Sequence, residues 1–141
     1  MLVLTKKEYE IEEPIQLKNE KNEILYEFTM RLTSEEVNEM KNLIFNENDI
    51  KIEKKLRSLK YGSEEYEKEY NSFVESAKER QARIEQLAFK DHRETFLKTA
   101  GQYQYDEMVN LIFDFFVQSF VEKRSQQINT MTTHLKKISN K

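Results

Sequence analysis

The sequence predicts a mostly α fold with a short N-terminal β-hairpin: a small helical domain with a long C-terminal helix. Three observations carry that expectation. Glycine and proline number only 2 and 1 in 141 residues, too few for a turn-rich β architecture. One early segment alternates polar and apolar residues at the period of two that a half-buried strand needs. Most of the rest repeats its apolar residues every three or four positions, and does so most densely from Asp106 to Val121.

Residues 1–13 have no clear period and read as an N-terminal arm that is ordered only if something holds it. Residues 14–121 read as one α-rich domain opened by a hairpin over 14–32, and residues 122–141 as a basic amphipathic C-terminal helix or tail. Pro14 to Lys18 gives the first strand. Ile24, Tyr26, Phe28, Met30 and Leu32 share one face of the second. Two strands alone are marginal in water, so the hairpin must lie on helices or pair with strands of another chain.

Thr33-Ser34-Glu35-Glu36 has the spacing of a capping box and starts a helix with Val37, Met40, Leu43 and Ile44 on its apolar side. A second helix is expected to open at Asp49, carry Ile52, Leu56 and Leu59, and stop at Gly62, where the absent Cβ permits a left-handed cap. Ser63 caps a third, which runs to about Phe89 with a thin apolar stripe around Glu79 to Arg83. Lys90 to Glu94 reads as a polar connection, and a short element bearing Phe96 and Leu97 ends at Ala100-Gly101.

The central helix then carries two apolar rows. Met108, Leu111, Ile112, Phe115, Phe116 and Phe120 form the expected core face, and Val109, Phe113, Val117 and Val121 form a second row. Asn110, Asp114 and Gln118 leave only a narrow polar stripe. Such a helix must be covered by its own domain on one side, and by the domain or another chain on the other. Both readings of the second row stand at this point. Beyond Glu122, Ile128, Met131, Leu135 and Ile138 extend an apolar stripe. These four and the second row are the candidate partner-binding residues.

The formal charge of -3 is uneven: residues 1–121 carry 18 Lys/Arg against 25 Asp/Glu, and residues 122–141 carry 5 against 1. With no cysteine, thiolate catalysis and cysteine-ligated zinc are excluded. Phosphate-loop, dinucleotide and nucleophile-elbow motifs are also lacking. The two histidines, His92 and His134, have no second ligand at helical spacing, and Asp91-His92-Arg93-Glu94 reads as a solvated loop. No catalytic residue, cofactor or metal is expected. Tyr61, Tyr66, Tyr70, Tyr103 and Tyr105 read as aromatics at the rim of the core rather than a base-stacking platform. Lys123, Arg124, Lys136, Lys137 and Lys141 read as the wet face of a protein-binding helix, with phosphate contacts and a nucleic-acid-binding regulator as the weaker reading. The apolar stretch is shorter than a membrane span and the N-terminus is not a signal peptide, so a soluble protein is expected.

The hairpin IQLKNEKNEILYEFTMRL, the capped acidic helix, and the late segment FKDHRETFLKTAGQYQYDEMVNLIFDFFVQSFVEKRSQQINTMTTHLKKIS together resemble proteins of phage and prophage tail gene clusters of Gram-positive bacteria, of the tail assembly chaperone type. The resemblance covers most of the chain and implies a role without implying site residues. It implies a small, mostly helical protein in the cytoplasm of the bacterial host; separately, the surplus apolar row of the central helix and the tail stripe predict that the chain is a homo-oligomer, at least dimeric. Its partner would be the tape measure protein, whose hydrophobic stretches it keeps soluble while the tail tube polymerises. Such chaperones often exist also as a longer frameshifted form. The alternative, from a different class, is a structural tail or head-completion component retained in the virion.

Overall fold

Alternating inward residues Ile15 and Leu17 on one strand and Phe28, Met30 and Leu32 on the next are all buried, as a hairpin with one face on a core requires. The computed structural model describes the backbone of residues 1–139, and the side chains of those residues except 125–127, 130 and 132–139. In it β1 spans Ile11–Lys18 and β2 spans Ile24–Leu32, antiparallel, with Ile11 opposite Leu32 and Ile15 opposite Phe28. The first strand therefore starts at Ile11 rather than Pro14. Glu13 occupies an inward-parity position and stays half-buried, which interrupts the apolar alternation in the sequence although the backbone pairing continues. At the turn, Asn19 Oδ1 accepts from the amides of Lys21 and Glu23, each at 3.0 Å, and Asn22 adopts φ 65°.

The capping box forms as expected. Thr33 Oγ1 accepts from the Glu36 amide at 3.2 Å and Glu36 Oε1 accepts from the Thr33 amide at 3.0 Å, opening α1, Ser34–Ile44. α2, Glu47–Ser58, begins two residues before Asp49, because Asn46 is the N-cap and accepts from the Asn48 amide. It also ends before Gly62, which takes its positive φ of 82° in the following loop. Ser63 caps α3, Glu64–Phe89. Lys90–His92 form a 3-10 turn that passes directly into α4, Arg93–Ala100, where a polar connection was expected. Gly101, at φ 83°, ends α4, and α5 follows at once as a 38-residue helix, Gln102–Ser139.

Helix makes up 68% of the chain with the hairpin at its N-terminal end, which is the fold class expected. The hairpin lies on helices through β2, which packs against α1, α3 and α4. Its inward residues meet a core of Val37 and Met40 from α1, Ile84, Leu87, Ala88 and Phe89 from the end of α3, Phe96 from α4, and Tyr105. Phe28, Phe89 and Phe96 have ring centroids 5.5 to 6.1 Å apart, and Phe89 lies 5.0 Å from Tyr105. The thin part of the α3 stripe is held by ion pairs instead: Arg80 with Asp49 of α2 at 2.7 Å, and Arg83 with Glu39 of α1 at 2.6 Å. The chain divides into two compact units, Met1–Tyr105 and Asp106–Lys141, and the division falls inside α5.

Candidate protein-interaction surface

Tyr105, in the first turn of α5, is fixed in the first unit. Its hydroxyl donates to Glu85 and accepts from Arg93 Nε at 3.1 Å, and its ring is 2% exposed. Burial and the Glu85 carboxylate push its ionisation well above the ordinary tyrosine range, so it serves as a neutral donor. Residues four, seven and eleven positions on share its face of the helix. They are Val109, Ile112 and Phe116, respectively 8%, 3% and 0% exposed.

The buried row thus differs from the one that spacing alone selects. Ile112 and Phe116 belong to it as expected, but Leu111 is 61% exposed, and Met108, Phe115 and Phe120 are only half-buried. Val109, a candidate for partner binding, is a buried residue and is not available at the surface. The physical reason is phase. A helix with two apolar rows has no strong periodic preference between them, and the buried row is the one that continues the helix face of Tyr105.

The other candidates lie outward to differing degrees. Phe113 is 37% exposed, Val117 is half-buried, and Val121, Ile128 and Met131 are 54%, 53% and 65% exposed. Leu135 and Ile138 have side chains outside the described set. Phe113, Val117 and Val121 are spaced by four and so form one continuous ridge, with Ile128 and Met131 further along the same side. Exposed apolar residues also occur at the opposite terminus, where Met1 to Leu4 precede the hairpin.

His92 is not in a solvated loop. Its ring stacks on Phe28 with centroids 4.7 Å apart, and its Nδ1 is 2.6 Å from the Tyr26 hydroxyl, so it is a polar plug at the edge of the aromatic core. Among the described residues no group of three His, Cys, Asp or Glu is placed to hold a metal ion, and no helix is long and apolar enough to cross a membrane. Tyr61, Tyr66 and Tyr70 form a ladder with centroids 5.2 and 6.2 Å apart at the start of α3, beside Glu65, Glu67 and Glu69. Those carboxylates disfavour a phosphate-bearing ligand on the ladder. Comparison with protein-family models, with curated proteins and with solved structures gave no match.

Proposed function

We propose that this chain is a non-enzymatic protein-binding factor, and that its client is an apolar helical segment of another protein. The observation that supports this reading is the outward ridge of α5, where Phe113, Val121, Ile128 and Met131 leave large apolar side chains in water along one helix. A helix with an outward apolar ridge is suited to receive the apolar face of a second helix, whose anchors fall at the same three- and four-residue spacing. The resemblance to tail assembly chaperones supplies the specific version. The client would be the tape measure protein of a phage tail, held soluble in the cytoplasm of the bacterial host during tail morphogenesis.

The test is co-expression with fragments of the tape measure protein from the same tail gene cluster. The expected outcome is that this chain raises the soluble yield of at least one apolar fragment and co-purifies with it. Val121→Asp should abolish that effect while leaving the melting temperature unchanged, since Val121 is 54% exposed. No gain in soluble fragment with the parent chain would refute the chaperone reading. A second reading, a structural component retained in the virion, is favoured by the exposed arm Met1 to Leu4, which suits attachment to a neighbouring subunit. Mass spectrometry of purified particles separates the two, because a chaperone is absent from the finished particle.

A further inference from the structure

The ridge of α5 is not purely apolar, and its two charged positions are complementary in one arrangement only. Asp114, Val117, Val121 and Arg124 follow one another at intervals of three, four and three residues, the spacing of the seam in a helix pair. They lie on a different side of α5 from the buried Val109, Ile112 and Phe116. Asp114 and Arg124 are both exposed. In a parallel pairing with an identical helix, Arg124 would meet Arg124 and Asp114 would meet Asp114, so that like charges face each other at both positions. In an antiparallel pairing centred midway between Val117 and Val121, each Val117 meets Val121 of the second copy, and each Asp114 meets Arg124 of the second copy.

We propose that α5 pairs with α5 of a second copy, antiparallel, through the Asp114-Val117-Val121-Arg124 seam. The two-fold symmetry makes both ion pairs equivalent and places them as bookends around two valine layers. Each pair joins a carboxylate to a guanidinium that can engage it with two parallel hydrogen bonds, which fixes the register as well as the direction. Phe113 flanks the seam and is covered by the approach of the second helix. Four layers make a short interface, so the dimer is weak and concentration-dependent rather than obligate. The pairing stands on α5 alone and not on the tail-assembly reading. It uses Val117 and Val121, so a second copy and an apolar client compete for one surface, and the self-pair shields the ridge until a client displaces it.

Sedimentation equilibrium of the full chain over a concentration series tests this directly. Asp114→Arg and Arg124→Asp should each raise the dimer dissociation constant about tenfold or more, because either change sets like charges opposite each other at two symmetric places. The combined Asp114→Arg, Arg124→Asp variant should return it to within about threefold of the parent, since the pair is restored with reversed sign. Direction is read separately. The chain has no cysteine, so single Val117→Cys and Val121→Cys variants can be mixed and oxidised in a glutathione buffer. An antiparallel pair gives mostly the mixed 117–121 disulfide, and a parallel pair gives mostly 117–117 and 121–121. The disulfide arm keeps the native charges and remains decisive even if a charge reversal disturbs folding. A chain that stays monomeric at its highest soluble concentration, a double reversal no better than either single change, or a predominance of like-to-like disulfides overturns the proposal. Retention of client binding alongside any of these results would leave the chaperone reading standing, and its loss with the dimer intact would remove that reading alone.

Discussion

Glu36 shows how much one side chain can hold at the junction of strand and helix. Its carboxylate accepts from the Thr33 amide at 3.0 Å and from Lys90 Nζ at 3.1 Å, and Lys90 Nζ also donates to the Arg31 carbonyl at 2.7 Å. Burial pushes Glu36 upward, but the Thr33 amide and Lys90 outweigh it, so its ionisation falls below the ordinary value of 4.5. A carboxylate depressed in the folded state contributes stability that is fully present above its unfolded value and is lost as pH falls through the folded one. Glu36→Gln keeps a capping side chain and removes the charge. It should therefore lower stability near neutral pH, with the difference from the parent shrinking as the pH drops below about 4.5 in urea titrations. A difference that stays constant down to strongly acid pH would show that the charge contributes nothing. The capping role of Glu36 was legible from Thr33-Ser34-Glu35-Glu36, whereas its tie to Lys90, 54 positions away, was not. His92 is the opposite case. Surrounded in sequence by Asp91, Arg93 and Glu94, it read as solvated, yet Phe89, His92 and Phe96 follow the three-and-four spacing of a buried row, and that spacing was the available signal.

At the scale of the element, α5 is where periodicity was informative and insufficient. The sequence marks both apolar rows, because helical spacing is a local property. The row that is buried continues the helix face of Tyr105, whose hydroxyl is held by Glu85 and Arg93, residues that no local pattern connects to it. The β1 boundary failed for a related reason. Glu12 and Glu13 obscure an alternation that the pairing of Ile11 with Leu32 continues. A mutational comparison checks the phase of α5. Phe116→Ala should cost about 3 to 5 kcal/mol, since its side chain is 0% exposed. Leu111→Ala, at 61% exposed, should cost no more than about 0.5 kcal/mol. Equal costs, or the reverse order, measured by chemical denaturation would mean that the helix is turned the other way.

Taken as a molecule, the chain holds most of its buried residues in the first unit, and the α5 side chains beyond Phe120 add exposed apolar surface to that of Met1 to Leu4. The first unit, Met1–Tyr105, contains the hairpin, the aromatic group and all but three of the buried hydrophobic residues, and the three in the second unit end at Phe116. No glycine, proline or polar linker marks the division after Tyr105, because one helix crosses it. Beyond Phe120 every described side chain is exposed. Side chains that remain in water contribute little to folding, so the apolar spacing there serves contact with another molecule or nothing. A chain ending at Phe120 retains every buried described residue. Its melting temperature should therefore stay within about 2 °C of the parent, the shift expected of a change of a few tenths of a kcal/mol in a domain of this size. The same truncation removes Val121, Arg124, Ile128 and Met131, and should abolish both dimer formation and client binding. A fall in melting temperature of about 5 °C or more would show that the distal part of α5 supports the fold itself. In that event its apolar residues would be stability elements, and the case for an exposed interaction ridge would fail.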